Sequence, residues 1–272
     1  MTDSPVRIAI HGAAGRMGRQ LLGSVAERDG TELSAAFDVA GSSCIGVDTS
    51  VLSGGNNTGV QVGDSVSSAL ADFDTIIDFS APAASLALLA TLADTDKRVV
   101  IGTTGFNSEE LSALKSYATS IPIVFAANYS IGVTVALSLL QQAAAALGDD
   151  YDVEVIEAHH HHKVDAPSGT ALAMGHAVAN ALERDLDSCA VYAREGITGA
   201  RDPKSIGFAT VRAGDIVGEH TVLFAGNGER VEITHKAHER QTFARGAVRA
   251  AQWLSTQPAG LYDMTHVLGI KQ

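Results

Sequence analysis

The first half of the chain alternates short apolar runs, rich in β-branched residues, with longer stretches in which apolar residues recur at helical spacing. The short runs predict buried strands, and the alternation predicts a parallel sheet with helices on both faces. We predict strands at 6–11, 33–37, 75–79, 97–101 and 121–125. We predict a helix after Gly18 that runs to about residue 28, a short helix at 66–70, a helix after Pro82 that runs to about residue 93, and a helix at 108–119 with Ser108 as its N-cap. We also predict a long loop at 40–59.

The pattern changes after residue 130, because successive strand patterns then follow one another without helices between them. Asn227 and Gly228 predict a hairpin turn between two of these strands. The predicted strands are 153–158, 206–212, 219–224 and 230–235, and the predicted helices are 131–147, 170–186 and 242–254. The fold class is therefore α/β. An N-terminal Rossmann-type, doubly wound parallel sheet (1–130, joined by 240–272) is followed by a C-terminal α+β domain with an open mixed sheet (131–239).

Composition and charge narrow the classes of function. Of the 272 residues, 46% are hydrophobic and 18% are charged, which is typical of a globular protein rather than a disordered one. The net charge of −12 and the pI of about 5.2 argue against nucleic acid and anionic membrane surfaces as partners. An anionic substrate would therefore need a local concentration of positive charge.

Cysteine usage and the N-terminus favour the cytoplasm. Cys44 and Cys189 are distant in sequence and form no CxxC pair, so we expect no disulfide framework and a reducing compartment. Residues 1–5 are polar and lead directly into the first strand, so we expect no signal peptide. We also expect no apolar run long enough to cross a bilayer.

A glycine-rich segment between the first strand and the first helix is a cofactor signal. Gly12, Gly15 and Gly18 permit a tight turn and let backbone N–H groups approach a pyrophosphate at a helix N-terminus. The common fingerprint is GxGxxG, and Ala14 replaces its middle glycine here. Asp38 ends the second strand about 20 residues later, where a carboxylate can hold a ribose 2′-hydroxyl. The alternative is a glycine-rich turn in a flavodoxin-like fold that binds no dinucleotide.

The end of the second strand also bears on the choice of cofactor. The Asp38 carboxylate disfavours a 2′-phosphate, and Val39 offers no compensating positive charge, although Arg16 can reach across to such a phosphate. We therefore predict a preference for NADH over NADPH. Segments 102–105 and 126–129 also follow predicted strands, so they are either ordinary turns or part of the ligand crevice of a doubly wound sheet.

The segment 157–170 is the strongest chemical signal in the chain. It places the histidines 159–162 and Lys163 just ahead of a helix-start pattern, with Ser168 as a candidate N-cap. Helix N-termini bind anions, and histidine and lysine can both bind anions and move protons. The segment therefore predicts a site for an acidic substrate that undergoes proton-coupled chemistry.

The histidine run has other interpretations: a purification tag, a metal-binding tract or an incidental sequence. A tag normally lies at a terminus, whereas this run lies mid-chain, directly after a strand pattern. Adjacent residues on an extended chain point to opposite faces, so the four imidazoles cannot share one zinc ion, and no cysteine lies nearby. We therefore expect no metal at this site.

Several segments together resemble the dihydrodipicolinate reductase family, also called the 4-hydroxy-tetrahydrodipicolinate reductases. The matching segments cover almost the whole chain and are GAAGRMG at Gly12, DFS at Asp78, GTTGF at Gly102, AANYSIGV at Ala126, EAHHHHKVDAPSGTAL at Glu157, VGEHTV at Val217 and ERVEITHKA at Glu229. The resemblance implies NAD(P)H-dependent reduction of 4-hydroxy-tetrahydrodipicolinate (dihydrodipicolinate) to tetrahydrodipicolinate in the diaminopimelate route to lysine. It also implies a homotetramer, built through the sheet of a substrate-binding domain at 131–239.

The resemblance implies roles for individual residues as well. His159 is the general acid/base, and Lys163 is a second proton donor. The substrate carboxylates are bound by His160, Lys163, Ser168, Gly169 and Thr170. The dinucleotide is bound by Gly12, Ala13, Ala14, Gly15, Arg16, Met17, Asp38, Gly102, Thr103, Thr104, Ala126, Ala127, Asn128 and Tyr129.

Two positions depart from the pattern of the family. Many members carry Arg where this chain has Val39, and that Arg helps to hold a 2′-phosphate, so its absence supports the NADH prediction. His161 occupies a position often taken by Arg. One permanent charge near the substrate is therefore missing, and we expect weaker substrate binding.

Two other functions remain as alternatives. One is a dehydrogenase of semialdehydes or imino acids, which joins similar domains. Many aldehyde-oxidising types use a nucleophilic cysteine, and neither Cys44 nor Cys189 lies in a suitable motif. The other is a non-enzymatic protein that senses a dinucleotide or binds a metal through the histidine run.

Overall fold

The structure is a computed structural model that describes residues 4–270 and divides into two compact units. The first unit runs to Ile131 and resumes at Gln241, and the second unit is Gly132–Arg240. The boundaries expected near residues 130 and 240 lie next to these positions. The signal-peptide expectation falls partly on residues 1–3, which lie outside the described residues.

The first unit is built on a seven-stranded parallel sheet, which confirms the α/β prediction. From one edge to the other, its strands are β12 (Gly260–Tyr262), β6 (Pro122–Phe125), β5 (Arg98–Ile101), β4 (Thr75–Asp78), β1 (Val6–His11), β2 (Thr31–Phe37) and β3 (Val62–Gly63). The strand order reverses between β1 and β4. Open α/β sheets bind their ligands at such a switch point, outside the carboxyl ends of the strands.

Helices cover both faces of this sheet, because alternate residues of each strand point to opposite sides. Ile8 and Ile10 of β1 belong to one buried cluster, and Ala9 between them belongs to another. The helices of the first unit are α1 (Arg16–Ala26), α2 (Ser50–Ser53), α3 (Pro82–Leu92), α4 (Ser108–Tyr117), α8 (Gln241–Leu254) and α9 (Met264–Val267), with a 3₁₀ turn at Val66–Ala69. Residues of α1 and α8 belong to the cluster with Ile8, and residues of α3 and α4 belong to the cluster with Ala9.

Local predictions were wrong at two places in the first unit. The N-cap of α4 is Asn107 rather than Ser108, because Asn107 and Glu110 each accept a hydrogen bond from the backbone N–H of the other. This capping box satisfies two N–H groups that a serine inside the first turn cannot reach. The predicted loop at 40–59 contains α2. Strands β3 and β12 and helix α9 were missed because each is only two to four residues long.

The second unit contains an open, mixed five-stranded sheet, as predicted. In spatial order its strands are β11 (Arg230–Ala237), β10 (Gly218–Ala225), β7 (Asp152–His159), β9 (Ile206–Arg212) and β8 (Ala190–Val191). Strand β10 pairs antiparallel with β11 and β7, whereas β9 pairs in parallel with β7 and β8. The predicted hairpin turn joins β10 to β11, with Gly228 at a φ of +93°.

The core of the second unit lies between this sheet and its helices, which are α5 (Ile131–Leu147), α6 (Gly169–Ala181) and α7 (Leu186–Cys189). Val155 and Val222 of the sheet belong to one buried cluster with Leu140 of α5 and Met174 of α6. Ile156 points to the opposite face of the sheet and is 41% exposed. The unit therefore buries one face of its sheet and leaves apolar side chains on the other.

Helix α6 ends at Ala181 rather than at the predicted residue 186. Glu183 adopts a left-handed φ of +54°, and the N–H of Arg184 donates to the carbonyl of Ala179 at 2.8 Å. This turn satisfies carbonyl groups at the end of the helix. The apolar periodicity of the sequence continues past this turn, which explains why the prediction was too long.

One expectation about apolar segments was wrong. Segment Ile131–Asp150, which contains α5, has a mean hydropathy of 1.5 and is long and apolar enough, by length and composition, to cross a membrane. A core helix of a globular protein passes the same test. Ala136, Leu140 and Ala144 of α5 pack in the core of the second unit, so this feature is weak evidence for a membrane span.

Candidate active site

The glycine-rich turn after β1 has a shape that requires glycine. Gly12 has a φ of +80°, and a Cβ atom at Gly18 would lie 2.1 Å from the carbonyl oxygen of Gly12. A side chain at residue 18 would therefore push the turn away from α1. This close approach is the packing that a dinucleotide-binding turn uses to bring its backbone to a pyrophosphate.

Most N–H groups of this turn are already bonded within the first unit. Gly12 and Ala13 donate to the carbonyl of Phe37 at 2.9 and 3.0 Å, and Gly15 donates to Gly12 at 3.1 Å. The next N–H groups, at the start of α1 from Arg16, have no intrahelical acceptor. The start of α1 is therefore the part of the turn that is suited to a phosphate group.

Asp38 lies where the sequence predicts a ribose-binding carboxylate. One of its oxygens accepts the N–H of Ala14 at 2.7 Å, and the other accepts the N–H of Val39 at 2.9 Å. The carboxylate thus joins the glycine-rich turn to the end of β2. The side chain of Val39 is 74% exposed, so it leaves open space beside the carboxylate.

Two cavities flank the glycine-rich turn. A cavity of about 430 Å³ brings together the turn and the segments 102–105 and 126–129, and its lining residues are Arg16, Met17, Phe79, Ser80, Gly102, Thr103, Thr104, Ala127, Asn128, Tyr129 and Phe243. A cavity of about 750 Å³ extends over Gly12, Gly15, Asp38 and Val39 toward α3. The structure thus places most of the predicted cofactor residues around two adjoining spaces of the first unit.

Gly102 and Tyr129, in the loops that follow β5 and β6, help to shape the smaller cavity. A Cβ atom at Gly102 would lie 2.1 Å from the ring of Phe79, so only glycine fits there. The Tyr129 ring is buried, and its hydroxyl lies 2.8 Å from the carbonyl of Ile101. Burial raises the pKa of Tyr129 well above its usual value. Tyr129 is therefore a neutral support for the loop rather than a source of charge.

A fully buried carboxylate beneath this cavity was not assigned from the sequence. Asp78, the last residue of β4, accepts hydrogen bonds from Ser80 at 2.6 Å and from Thr103 at 3.1 Å, and also from Ser85. Its other neighbour is the Nδ1 atom of His11, at 2.7 Å. This network ties together the ends of β1, β4 and β5. The sequence signal that could have identified Asp78 is an aspartate at the end of an otherwise apolar strand.

The histidine run forms a turn, and its side chains separate. His159 ends β7 and is buried, whereas His161 and His162 are exposed, with ring centroids 3.9 Å apart. The N–H of His160 donates to Ile216 at 2.7 Å, and the N–H of Lys163 donates to His160 at 3.1 Å. Within residues 4–270, no three His, Cys, Asp or Glu side chains form a group that could hold a metal ion.

Two cations lie on this turn. The ammonium of Lys163 lies 2.8 Å from the carboxylate of Asp165, and this hydrogen bond lowers the pKa of Asp165. The guanidinium of Arg240 lies 3.2 Å from Nε2 of His160. Desolvation, followed by the charge of Arg240, lowers the pKa of His160. Arg240 was not assigned from the sequence, because it lies 80 positions away.

Arg240 brings a permanent charge to the turn that contains His161. Its guanidinium lies next to His160, the histidine predicted to bind a substrate carboxylate. A guanidinium stays ionised at every pH of interest and binds carboxylates in a bidentate manner.

Helix α6 begins beside this turn, with Ser168 as its N-cap, as predicted. The Ser168 hydroxyl accepts the N–H of Ala171 at 3.1 Å and lies 2.8 Å from Nε2 of His220. Desolvation, followed by the charge of His159, lowers the pKa of His220 to about 4, so His220 is neutral at pH 7. A neutral His220 adds no charge here, so the partial positive charge at the start of α6, at Gly169, comes from the helix backbone.

Glu157 connects these parts and was not assigned from the sequence. It is buried and accepts hydrogen bonds from Nδ1 of His159 at 2.6 Å and from the backbone N–H of Ser168 at 3.1 Å. Two guanidinium nitrogens of Arg212 donate to it, both at 2.8 Å. Burial alone would raise the pKa of Glu157, but these hydrogen bonds outweigh it and lower the pKa to about 2. The carboxylate is therefore ionised at neutral pH.

Comparisons with known proteins cover almost the whole chain. The family profile described as "Dihydrodipicolinate reductase, N-terminus" matches residues 6–129, and the one described as "Dihydrodipicolinate reductase, C-terminus" matches residues 132–268. A 4-hydroxy-tetrahydrodipicolinate reductase from Alkalilimnicola ehrlichii is 58% identical over 264 residues, which are 97% of this chain and 99% of that protein.

Solved structures agree with these matches. Dipicolinate-bound dihydrodipicolinate reductase from Paenisporosarcina sp. TG-14 superposes with a TM-score of 0.76 at 25% identity, over 95% of this chain and 97% of that one. An amine dehydrogenase from Mycobacterium smegmatis, at 13% identity and a TM-score of 0.59 over 95% of each chain, shares the fold alone. Since both halves of the chain match one family and a relative shares more than half of its residues, the chain belongs to the dihydrodipicolinate reductase family.

Proposed function

We propose that this chain reduces 4-hydroxy-tetrahydrodipicolinate to tetrahydrodipicolinate, with NADH or NADPH as the hydride source, in the diaminopimelate route to lysine. The observation that carries the proposal is the buried His159, which contacts an ionised carboxylate and begins a turn that also contains Lys163 and His160, with Arg240 next to His160. Family membership favours this reaction over semialdehyde oxidation and over a non-enzymatic role. The histidine run forms an acid/base and cation-rich turn, as that reaction requires.

The cofactor residues of the first unit fit a dinucleotide. Gly12 forms the tight turn, Gly18 lets α1 pack closely against it, and Asp38 offers a carboxylate at the end of β2 for a ribose hydroxyl. The segments 102–104 and 127–129 line the adjoining cavity. When bound, the reduced nicotinamide supplies the hydride. The first unit (1–130 with 240–272) is thus the dinucleotide-binding domain of the proposal.

The second unit (131–239) binds the substrate and supplies the proton. His159 donates a proton from Nε2 to the atom next to the one that receives the hydride, and Lys163 is the second proton donor. His160, Lys163 and the neighbouring Arg240 bind one carboxylate of the substrate. The start of α6 at Gly169 and Thr170 binds the other, with Ser168 as the cap that fixes this start.

The cofactor preference that we propose is NADH. An ionised Asp38 repels a 2′-phosphate, and the exposed Val39 beside it contributes no positive charge. Arg16 lies at the start of α1 and lines the smaller cavity, so NADPH remains a usable second cofactor.

The assembly that we propose is a homotetramer formed through the open sheet of the second unit. Ile156 and Val211 lie on the uncovered face of this sheet, on two neighbouring strands, and are 41% and 45% exposed. Apolar side chains on an uncovered sheet face are typical of subunit interfaces. The compartment that we propose is the cytoplasm, because Cys44 and Cys189 are both free thiols.

A coupled assay tests the proposed reaction. Pyruvate and aspartate semialdehyde are converted by the preceding synthase, and loss of NADH absorbance follows the addition of this protein. Pyridine-2,6-dicarboxylate, a flat dicarboxylate, is expected to compete with the substrate, since the related reductase from Paenisporosarcina is dipicolinate-bound. No NADH loss above the synthase-only control would contradict the proposed activity, and no competition would contradict the proposed pocket.

A further inference from the structure

We infer that Glu157 is a positioning residue that holds the proton donor His159 and the anion-binding start of α6 in one fixed arrangement. The inference rests on the proposed function, because it assigns Glu157 a role through His159 and Ser168. A single buried carboxylate contacts both groups: Oε2 lies 2.6 Å from Nδ1 of His159, and Oε1 accepts the N–H of Ser168 at 3.1 Å.

The contact with His159 selects which ring nitrogen can act on the substrate. An ionised carboxylate only accepts hydrogen bonds, so Nδ1 of His159 carries a proton and donates a hydrogen bond to Glu157. Nε2 is then the nitrogen that exchanges a proton with the substrate. Gly218 lies next to Nε2, and a Cβ atom there would be 3.1 Å away, so the glycine leaves room at this nitrogen. Orienting carboxylates play this part in other acid/base histidine pairs.

The contact with Ser168 fixes the proposed carboxylate subsite. Ser168 caps α6 through its hydroxyl, and its own N–H is bound by Glu157. The N-cap residue sets the direction in which the first N–H groups of a helix point. Because the same carboxylate binds His159, the helix start and the proton donor cannot move independently of each other.

Arg212 keeps the carboxylate charged and fixed. It donates two hydrogen bonds to Glu157, both at 2.8 Å, and a third to the carbonyl of Asp165 at 2.6 Å. An uncompensated buried carboxylate would tend to take up a proton, and this pairing prevents it. Glu157 therefore stays an ionised acceptor for the N–H at Nδ1 of His159.

The same strand contains a control for a purely structural ion pair. Glu154 of β7 also accepts hydrogen bonds from two arginines, Arg194 at 2.8 and 3.0 Å and Arg201 at 3.2 Å. The odd spacing from residue 157 puts Glu154 on the opposite face of the strand, away from His159. Glu154→Gln thus removes a comparable charge from the same strand without touching the proposed site.

The experiment compares Glu157→Gln, Glu154→Gln, His159→Gln and the double variant of 157 and 159. We expect Glu157→Gln to lower kcat about 10²-fold. This loss lies between those typical of a residue that orients a metal ligand and of the carboxylate in a catalytic triad. The dissociation constant for NADH is expected to stay unchanged. Glu154→Gln is expected to keep kcat. In the His159→Gln background, the change at Glu157 is expected to lower kcat no further, because its contact with His159 is already gone. The effect of Glu157 through the start of α6 is expected in the KM for the substrate.

Each outcome decides the inference. If His159→Gln lowers kcat but Glu157→Gln does not, the inference fails and the proposed role of His159 survives. If His159→Gln leaves kcat unchanged, both fail. Equal losses from Glu157→Gln with and without His159 would show that Glu157 acts only through stability, which overturns the inference. Far-UV circular dichroism and cooperative thermal unfolding of every variant verify that both units of the compared proteins are folded.

Discussion

The ammonium of Lys163 and the carboxylate of Asp165 form an ion pair at 2.8 Å, two residues apart in the turn that leads to α6. Lys163 must give up this partner, at least in part, to bind a substrate carboxylate. Asp165 is 54% exposed in its side chain, so water screens the pair. In the proposed function, Asp165 therefore competes with the substrate for the Lys163 ammonium.

We expect Asp165→Asn to lower the KM for the substrate about 2–5-fold at low salt, because one negative charge beside a dianionic ligand is removed. The difference is expected to shrink at high salt. Asp149→Asn, which breaks an exposed pair with Arg184 in the same unit, is the control. A higher KM in Asp165→Asn would instead mean that Asp165 holds Lys163 in the binding position.

His159→Gln is expected to lower kcat by about 10²–10⁴-fold with near-normal NADH affinity, since a general acid is lost. His176→Gln, on the exposed surface of α6, is the matched control for a lost imidazole.

Lys163→Ala is expected to impair both kcat and KM, because the ammonium serves binding and proton transfer. Steady-state kinetics with saturating NADH separate these effects, and unchanged kinetics in either variant would remove that residue from the mechanism.

Arg240→Ala is expected to raise the KM for the substrate about tenfold with little change in kcat, because a charge-assisted contact to a carboxylate is lost. The KM for NADH should stay the same. Arg230→Ala, which removes an exposed arginine paired with Glu232 in the same unit, should leave the substrate KM unchanged. Equal KM values in both variants would show that Arg240 makes no contact with the substrate.

Val39→Arg is expected to lower the KM for NADPH about tenfold relative to NADH, because a guanidinium beside Asp38 can bind a 2′-phosphate. Val51→Arg adds the same charge at another exposed position of the first unit and controls for long-range attraction. The ratio of kcat/KM for the two cofactors is the measurement. A wild-type protein that already prefers NADPH would contradict the proposed cofactor choice.

The Glu157 carboxyl should make stability depend on acid. Its pKa in the folded chain, about 2, lies below its ordinary value of 4.5, so folding favours the ionised form. This contribution is complete above about pH 4.5 and is lost as the pH falls toward 2. Urea unfolding at pH 5 and pH 3 should show wild type losing up to roughly 2 kcal/mol more than Glu157→Gln. Equal losses in the two proteins would contradict the shift.

Periodicity predicted the fold well, because strands buried on both faces and amphipathic helices such as α8 leave strong patterns in the sequence. The wrong predictions concern the ends of helices, which depend on local hydrogen bonds and backbone angles that periodicity does not reveal. Asn107 rather than Ser108 caps α4 because Glu110 lies three residues after Asn107 and completes a capping box. The end of α6 depends on one backbone angle at Glu183.

The candidate site was predictable only where its residues are close in sequence. His159, Lys163 and Ser168 lie in one segment, and a family resemblance identifies that segment directly. Arg212 and Arg240 reach the same place from 55 and 80 positions away, across sheet pairings that the sequence alone does not specify. Long-range partners of this kind are set by strand order and register rather than by spacing.

The double hydrogen bond that Asp38 makes to the N–H groups of Ala14 and Val39 has a consequence for kinetics. Because these hydrogen bonds already fix the conformation of the segment, it loses little conformational entropy when a nucleotide binds. Binding therefore requires no slow rearrangement there. Dinucleotide association should then approach the speed of diffusional encounter, and differences in residence time, not in arrival, should distinguish one nicotinamide cofactor from the other.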